Sequence, residues 1–405
     1  MKFMKKIVAF GLAVMVLFAG TLSASAGTLG IDVSKHQKDI NWTSVRNAGV
    51  GYTFIKAGST NSGLDPYFDQ NMKNAQAAGL RTGVYIYSYA ASVEEAVNEA
   101  YLLLAWIQNY QVSFPVAYDI EDAIQKTLDP NTVTAMCNAF CDVIKAAGYY
   151  PIVYSNTSFF KKYVTKDLRY DKWVAHYGPA CGTPGYTIWQ YTSKGVVAGI
   201  NTFVDGNVCD KPYEAYIIPE GPVLRDDGFV YYCRNYRTQT GWVISGDKKY
   251  YCDIFGHMTQ GFFSDGVNTY CTGPDWSVMT GLNAVGDGIF YFNEDGALMT
   301  GWIPFGDRIY FFNPNKGGRM ETGWFETVDG KYYSTPETGA YKGLAQIDNA
   351  VYYFDENGIM QTGVVQVGDY ARLFDNNGKL VFNGKKTIAG VTYYTNAEGV
   401  IVSVQ

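Results

Sequence analysis

The sequence is poor in charge and in histidine, and it lacks the cysteine patterns of metal sites. Charged residues make up 17% of the 405 residues, hydrophobic residues make up 47%, and histidine occurs three times. So little charge in so apolar a chain argues against disorder. Seven cysteines are present, but none forms a C-x-x-C pair or stands at a Cys/His ligand spacing. We therefore expect no metal and no cofactor.

The cysteines follow the apolar pattern of their neighbours. Cys137 and Cys141 are four residues apart in a helical pattern, and Cys233, Cys252 and Cys271 recur every 19 residues, each closing an aromatic triplet. Because a free cysteine packs as a small hydrophobic residue, we expect these five side chains to be buried.

Long apolar runs are missing except near the N-terminus. Residues 1–26 begin with lysines at positions 2, 5 and 6, continue with the apolar stretch Ile7–Phe18, and end in Ala24-Ser25-Ala26. This is the pattern of a signal peptide with its cleavage site. The apolar stretch is too short for a permanent membrane span. We therefore predict a secreted protein that has no membrane partner after signal cleavage.

The remaining chain is acidic. Without the three lysines of residues 1–26, 29 Lys and Arg residues stand against 38 Asp and Glu residues, a net charge of −9. Bulk charge of this sign does not hold a protein to nucleic acid or to anionic wall polymers. Attachment to a cell wall would have to come from specific contacts.

Residues 27–217 alternate short apolar runs with helical patterns. The helical period of 3.6 residues is clear in the stretch that begins at Ser92, and Asp129, Pro130 and Gly148 read as the cap, first residue and end of a second helix. Fully apolar strands between helices predict a parallel sheet covered by helices. The fold class predicted is α/β, an irregular (β/α) TIM-like barrel whose helices become short or absent after Ser155. The predicted strands are Leu29–Val33, Tyr52–Lys56, Thr82–Tyr89, Pro115–Glu121, Pro151–Ser155, Trp173–Tyr177 and Thr187–Tyr191.

From residue 229 to residue 405 the pattern changes to a repeat of about 20 residues. Each unit has a glycine that most often follows a threonine, then a turn, an aromatic pair and a second turn, which reads as a two-stranded hairpin. Because one hairpin is not stable alone, the units must stack, and they predict an all-β solenoid. Residues 218–228 read as a linker. The marking glycines are Gly241, Gly261, Gly281, Gly301, Gly323, Gly343, Gly363 and Gly384.

A cluster of carboxylates follows the predicted strand at Pro115–Glu121. Asp119 and Glu121 are two residues apart, so they share one face of the strand, and they stand at its C-terminal end, where barrel enzymes keep their active sites. Asp32 ends the first strand, and Asp205 lies where the last strand should finish. Four acids at one mouth repel each other and must differ in pKa, which suits glycoside hydrolysis. A salt-bridged or solvated rim is the structural alternative, and Asp122 reads as a solvated loop residue.

Six ordered blocks of the first half resemble a known family. They are GIDVSKHQKDINW (30–42), FIKAG (54–58), GVYIYSYA (83–90), PVAYDIED (115–122), WVAHYG (173–178) and WQYTSKG with GINTFVDGN (189–207). Together they are similar to the family 25 glycoside hydrolases, the Chalaropsis-type lysozymes. The resemblance implies an irregular β/α barrel and N-acetylmuramidase activity on the β-1,4 bond after N-acetylmuramic acid in peptidoglycan. FIKAG continues with Ser59-Thr60 where the family commonly has Thr-Glu.

The resemblance also implies roles for the acids. Glu121 matches the family's proton donor, Asp119 matches the carboxylate that stabilises the oxazolinium or oxocarbenium ion, and Asp32 and Asp205 match the two remaining acids of the site. The separation of the carboxylates is not given by the sequence, so retention and inversion both stay open. Aromatic and amide side chains that could line the sugar groove, or only pack the barrel, are Tyr87, Tyr89, Tyr154, Tyr177 and Gln190. His36 and His176 read as core or rim residues rather than catalytic bases.

The tail resembles the choline-binding and glucan-binding wall repeats of secreted bacterial proteins. In choline binders, aromatic rings build a cage for the cation. Only Trp242, Trp302 and Trp324 follow the marking glycine here. The position before the aromatic pair, where a choline binder often has Trp, holds Lys249, Ile289, Ile309, Lys331 or Val351. The ligand of the repeats is therefore a cell-wall polysaccharide or a choline-like group, or the repeats are a spacer.

Three functions from different classes fit the sequence. The first is a secreted lysozyme that is brought to the wall by its repeats. The second is a non-catalytic cell-wall or carbohydrate-binding protein with a decayed barrel, although all four acids are present. The third is a glycosidase on another polymer such as chitin, although the DVSKHQ and WQYT blocks weigh against it.

Overall fold

The structure is a computed structural model that describes residues 27–405. The predicted signal peptide, residues 1–26, lies outside the described residues. In the described part of the chain, no helix has the length and apolar character needed to cross a membrane. The chain forms two compact units: the described residues up to Val243 together with Tyr251–Met258, and Ile244–Tyr250 together with Thr259–Gln405.

Eight strands of the first unit close into a barrel, as the sequence predicted. Their order around the sheet is β1-β9-β8-β7-β6-β5-β4-β2, and pairing of β1 with β2 closes the ring. The short strand β3 (Gly63–Leu64) is a flap on β2. The barrel strands are β1 (Thr28–Val33), β2 (Tyr52–Ser59), β4 (Arg81–Tyr87), β5 (Val116–Asp119), β6 (Pro151–Asn156), β7 (Asp171–Ala175), β8 (Tyr186–Gly195) and β9 (Val204–Cys209).

One barrel strand runs against the others. β9 pairs antiparallel with β1 and β8, whereas the other barrel pairs are parallel. The sequence predicted Asp205 at the finish of the last strand, and this is wrong: Asp205 lies near the start of β9. An antiparallel strand begins at the mouth where its parallel neighbours end, so Asp205 still reaches that mouth, directly opposite Asp32.

Helices cover the outside of the first part of the barrel. Asp129 caps α4 by accepting hydrogen bonds from the backbone of Asn131 and Thr132, with Pro130 as first residue, as predicted. After β6 only one short helix remains, which confirms the predicted irregularity. The helices are α1 (Trp42–Asn47), α2 (Phe68–Ala77), α3 (Val93–Ile107), α4 (Pro130–Ala146) and α5 (Thr157–Tyr163), with short 3-10 turns at Lys35–Gln37, Gln125–Thr127, Tyr213–Ala215 and Pro314–Lys316.

Aromatic rings fill the inside of the barrel below the mouth. Phe54 stacks on Trp173 with ring centroids 4.2 Å apart, and Tyr52 stacks on Phe114 at 4.2 Å. All four side chains are buried. The barrel is therefore a packed core with a floor of rings beneath its mouth.

The second half forms short antiparallel hairpins, as the repeat predicted. Seven of the marking glycines have φ between +71° and +89°, a backbone conformation that favours glycine, and each of them begins a strand. The strands are β10 (Glu220–Leu224), β11 (Val230–Arg234), β12 (Arg237–Thr238), β13 (Gly241–Ser245), β14 (Lys248–Cys252), β15 (Gly261–Ser264), β16 (Thr269–Thr272), β17 (Gly281–Val285), β18 (Gly288–Phe292), β19 (Leu298–Met299), β20 (Gly301–Phe305), β21 (Arg308–Asn313), β22 (Arg319–Met320), β23 (Gly323–Thr327), β24 (Gly330–Thr335), β25 (Gly339–Ala340), β26 (Gly343–Ile347), β27 (Ala350–Phe354), β28 (Gly363–Val367), β29 (Tyr370–Phe374), β30 (Lys385–Ile388), β31 (Val391–Thr395) and β32 (Ile401–Val404).

The five cysteines expected in the core are buried, and all seven are free thiols. In the hairpins, Cys271 packs with Phe290 and Phe292.

The segment expected as a linker, residues 218–228, contains the strand β10, which pairs with β11. The sheet β10–β12 packs on the barrel end opposite to the mouth. The Thr238 backbone N–H donates to the Gly148 carbonyl at 2.8 Å, and a β-carbon at Gly148 would lie only 2.4 Å from the Thr238 oxygen. The domain boundary at residue 217 stays a prediction.

A lysine joins the barrel to this sheet. The Lys211 Nζ lies 2.9 Å from Asp171 Oδ2 at the start of β7 and 2.6 Å from Asp226 Oδ2 in the turn after β10. The Lys211 side chain is only 13% exposed. Removing a shielded cation takes the opposite charge away from its carboxylates, which costs more than losing a surface pair.

We expect Lys211→Met to lower the free energy of unfolding by about 3 kcal/mol, the lower end of the range for a shielded ion pair. The matched control is Lys248→Met. It removes the 2.8 Å salt bridge between Lys248 and Asp275, two side chains that are each about half exposed. The control should cost less than about 1 kcal/mol. Urea unfolding followed by circular dichroism measures both. Equal losses of unfolding free energy in the two variants would contradict the role of Lys211 in joining the barrel to the sheet.

Candidate active site

The four predicted carboxyls line one cavity at the barrel mouth, with a volume of 420 Å³. Asp119 is the last residue of β5 and Glu121 follows two residues later, while Asp32 and Asp205 come from β1 and β9. On the other face of β5, Tyr118 stacks on Phe140 of α4 at 4.0 Å. Asp119 and Glu121 both face the cavity and Tyr118 faces the helices, as the sequence predicted. The predicted strand Pro115–Glu121 is too long, because β5 ends at Asp119 and Glu121 lies in the segment that follows it.

Four of the five predicted sugar-binding side chains also line this cavity: Tyr87, Tyr154, Tyr177 and Gln190. Tyr89 does not. It lies beside the cavity with its ring 5.0 Å from that of Tyr87, because it follows the end of β4. Asp122, which the sequence suggested was only solvated, accepts a hydrogen bond from the Tyr87 hydroxyl at 3.2 Å.

Two amide side chains hold Asp32. Gln190 Nε2 and Asn207 Nδ2 donate to the same oxygen, Asp32 Oδ2, at 2.9 and 2.8 Å. The Trp173 indole N–H donates to Asn207 Oδ1 at 2.8 Å, which turns the Asn207 amide so that its NH₂ group faces Asp32. These donors compensate part of the cost of burying a carboxylate.

The Gln190 amide is fixed in the same way. The hydroxyls of Tyr154 and Tyr177 donate to Gln190 Oε1 at 3.1 and 2.9 Å. Both hydroxyls thus set the direction in which the Gln190 NH₂ group points. The aromatic side chains of this wall have a structural role in addition to any contact with a ligand.

Burial dominates the electrostatics of the mouth. The pKa of Asp32 is raised from 3.8 to about 7, mainly by burial and also by the nearby charges of Asp205 and Glu121, while the two amide donors act to lower it. Burial and the charge of Glu121 likewise raise the pKa of Asp205. Asp32 and Asp205 face each other across paired strands, where like charges repel.

Asp119 is the most shielded acid of the cavity. Burial and the charge of Glu121 raise its pKa well above 3.8, while the ammonium of Lys56 lowers it. Its Oδ1 atom is buried and has no hydrogen-bond partner among the described residues. An unpaired buried carboxyl oxygen beside an open cavity is available to a ligand group.

A second cavity of 390 Å³ adjoins the first. Its lining includes Glu121, Tyr154 and Tyr177, which also line the first cavity, together with Asn156 and His176. Asn156 Nδ2 lies 3.4 Å from Glu121 Oε2. The Glu121 carboxyl therefore stands where the two cavities meet, and a ligand that fills both must pass beside it.

Sequence reasoning missed two polar side chains of this site. Lys56 is two residues beyond the inward-facing Phe54, and Asn207 is two residues beyond Asp205. Strand alternation would therefore have been enough to predict that both side chains face into the barrel. Among the described residues that line the first cavity, Lys56 is the one Lys or Arg. His36 is exposed on the rim. In residues 27–405, no group of three or more His, Cys, Asp or Glu side chains is arranged to hold a metal ion.

In the repeats, two tryptophans sit in aromatic grooves. We define the Trp302 groove as Trp302 with Phe311 of its own hairpin, at 4.9 Å, and Tyr332 of the next hairpin, at 4.8 Å. The sequence suggested that the cages lacked a second ring, but the neighbouring hairpin supplies one. Trp242 packs on Tyr251 with ring centroids 5.0 Å apart.

The Trp324 groove has the same construction. It consists of Trp324 with Tyr333 of its own hairpin, at 5.1 Å, and Tyr352 of the next hairpin, at 4.8 Å. All these rings lie in the second unit, on β20–β27.

The raised pKa of Asp32 predicts a pH dependence of stability. Below about pH 3.8 the carboxyl is protonated in both states; between pH 3.8 and about 7, the folded state keeps a proton that the unfolded state has lost, so stability falls as pH rises through this window. Asp32→Asn keeps the hydrogen-bond acceptor and removes the titration.

We therefore expect Asp32→Asn to raise the melting temperature at pH 8 and to change it much less at pH 4. Thermal unfolding at both pH values measures this, and Asp39→Asn, which changes an exposed aspartate, is the control. A gain that is equal at the two pH values, or a loss at pH 8, would contradict the burial of a titrating Asp32.

Two family models match the chain. The model described as Glycosyl hydrolases family 25 matches residues 31–200, which include Asp32, Asp119 and Glu121 and end before Asp205. A model of a cell wall binding repeat matches residues 342–360, which contain β26 and β27.

Similar proteins align with the barrel half. YegX, an uncharacterized protein of Escherichia coli, is 33% identical over 201 residues, which cover 47% of this chain and 72% of that protein. Lysozyme M1 of Streptomyces globisporus is 29% identical, covering 45% of this chain and 68% of its own. The solved structure of a bacterial lysozyme from Streptomyces coelicolor is 26% identical and covers 46% and 94% of the two chains, with a TM-score of 0.40. On the family model and on its identity with YegX, the chain belongs to the glycosyl hydrolases of family 25: it is a glycoside hydrolase that carries cell-wall-binding repeats.

Proposed function

We propose that this protein is a secreted lysozyme that hydrolyses the β-1,4 bond between N-acetylmuramic acid and N-acetylglucosamine in peptidoglycan. The position of Glu121 carries the proposal. A general acid must reach the oxygen between two sugar units, and a carboxyl at the junction of two adjoining cavities can do so. Named relatives support it: lysozyme M1, and the N,O-diacetylmuramidase of Chalaropsis sp., which is 24% identical over 44% of this chain and 94% of its own.

In this proposal Glu121 donates a proton to the leaving oxygen while Asp119 supports the positive charge that develops on the sugar. The buried, unpaired Oδ1 of Asp119 can accept a hydrogen bond from the substrate. Since burial holds the pKa of Asp119 high and Lys56 lowers it, its negative charge is favoured most when positive charge appears beside it. Stabilisation of this kind acts on the transition state more than on the bound substrate.

Asp32 and Asp205 then complete the wall of the site. Asp32, held by two amides, offers a hydrogen-bonding carboxyl whose protonation changes near pH 7. The rings of Tyr87, Tyr154 and Tyr177 provide faces against which sugar rings stack. Tyr89 lies outside the cavity and contributes through its contact with Tyr87.

The alternative of a non-catalytic protein with a decayed barrel is less well supported. All four carboxyls line one cavity, although gathering them there is unfavourable for the fold, as the raised pKa values indicate. A barrel that served only for wall binding would not need four carboxyls in one cavity. A polymer such as chitin would meet the same acids, so the product chemistry has to separate these two substrates.

We also propose the arrangement of the chain. Residues 1–26 direct secretion, residues 27–217 form the catalytic barrel, and residues 229–405 form the repeats that attach the enzyme to the wall. The first strands of the repeats, β11 and β12, also join β10 in the sheet that packs on the barrel. The signal-peptide pattern and the matched wall-binding repeat support a cell-wall-associated extracellular protein.

The acid role of Glu121 is tested by Glu121→Gln, which preserves shape and removes the proton. We expect turnover of purified peptidoglycan to fall roughly 10²–10⁴-fold, the usual contribution of general acid catalysis. Release of reducing ends from the polymer measures it.

The control is Glu94→Gln, the same change at an exposed position of α3, which should leave turnover unchanged. Circular dichroism confirms that both variants fold. Turnover of folded Glu121→Gln within a few-fold of the unchanged enzyme would refute the assignment of Glu121.

Attachment to the wall should come from the aromatic grooves. At a net charge of −9 for the chain after residue 26, attraction to an anionic wall is weak, whereas stacking is short-range and little affected by salt. The Debye length falls from about 10 Å at 0.1 M to about 3 Å at 1 M salt. We therefore expect the full chain carrying Glu121→Gln, which leaves the wall uncut, to bind purified walls equally at both salt levels.

In the same inactive background, Trp302→Ala with Trp324→Ala should weaken wall binding about tenfold, since each aromatic contact contributes about 0.5–1.5 kcal/mol. Tyr101→Ala, which removes an exposed ring on α3, is the control. Sedimentation with purified walls measures the bound fraction. If binding falls steeply with salt, or if the double tryptophan variant binds as well as its parent, the contact surface lies elsewhere.

A further inference from the structure

The two aromatic grooves of the second unit differ at one matched position. In the hairpin of the Trp302 groove, Pro304 pairs with Ile309. In the hairpin of the Trp324 groove, Glu326 pairs with Lys331 at the same register. Each of these pairs lies two residues from the groove's own pair of rings, so its side chains share a face with them.

Lys331 uses this position to reach the tryptophan. Its Nζ lies 5.1 Å from the centroid of the Trp324 ring, within the range of a cation–π contact. Glu326 Oε1 lies 3.9 Å from the same nitrogen. Among the described residues, no Lys or Arg lies over the ring of Trp302, whose matched neighbour is the apolar Ile309.

We propose that Lys331 occupies the cation position of the Trp324 groove and so closes this groove to quaternary ammonium groups such as choline. A second cation would have to displace the first or lie beside it, and both arrangements oppose binding. The two grooves thus have the same construction, but within residues 27–405 the cation position is empty in the Trp302 groove and is filled by Lys331 in the Trp324 groove. Lys331 is a specificity-determining residue.

The class of ligand left for the Trp324 groove follows from this occupancy. A ring face bordered by an ammonium suits a carbohydrate, which can lay its C–H face on the tryptophan and offer oxygens to the Lys331 donors. This inference concerns the ligand of the repeats and rests on their proposed wall-binding role for its meaning in the cell. Choline binding in solution tests it without a wall.

The experiment exchanges the matched residues in the full chain. Choline is titrated into Trp302→Leu, which removes the open groove, and into Trp302→Leu with Lys331→Ile, and binding is followed by calorimetry. We expect the second protein to bind choline at least about tenfold more tightly, the effect of one desolvated cation–π contact. Adding Trp324→Leu should abolish the gain. Lys331→Met, which keeps the aliphatic stem, replaces Lys331→Ile if that variant is unstable.

The reverse exchange is the matched control: Ile309→Lys in the otherwise unchanged chain should weaken any choline binding that depends on Trp302. The inference is overturned if Trp302→Leu already binds choline through Trp324, or if folded Lys331→Ile and Lys331→Met show no gain. Sedimentation of the same variants with purified walls is recorded separately, because loss of wall binding would challenge the proposed role of the repeats and not the role of Lys331.

Discussion

The structure of the candidate active site depends on holding several carboxyls together where water cannot fully solvate them. The strongest single expression of this constraint is Asp32, whose Oδ2 accepts two amide N–H groups while Asp205 lies directly opposite on the paired strand. Each amide is in turn oriented by ring donors, Trp173 for Asn207 and Tyr154 with Tyr177 for Gln190. A carboxyl placed there without these partners would be unfavourable for folding.

The aromatic floor makes this arrangement possible. Phe54 and Trp173 stack beneath the cavity, and these buried rings lower the dielectric constant around the acids. In such surroundings a small difference in neighbours separates the pKa values of similar acids. The antiparallel strand β9 also contributes polar side chains to the mouth. It brings Asp205 and Asn207 there from the beginning of a strand instead of its end.

Much of the fold and of the candidate site could be predicted from the sequence, because these features depend on short-range sequence patterns. Strand alternation placed Asp119 and Glu121 on one face, cap residues fixed the start of α4, and the spacing of glycines fixed the hairpins. Three features were not readable. The direction of β9 depends on tertiary pairing, the docking of β10–β12 depends on Lys211 meeting Asp171 and Asp226 from distant parts of the chain, and the cation over Trp324 depends on which rotamer Lys331 adopts. Alternation could have revealed Lys56 and Asn207, but their value is apparent only beside the acids.

The most direct test of the account is mass spectrometry of the products that the enzyme releases from purified peptidoglycan, with chitin treated in parallel. Hydrolysis after N-acetylmuramic acid must leave muramic acid at the reducing end of each fragment, and chitin should stay intact. Fragments with N-acetylglucosamine at the reducing end, cleavage of chitin at a similar rate, or no cleavage of either polymer by the folded protein would contradict the proposed lysozyme activity.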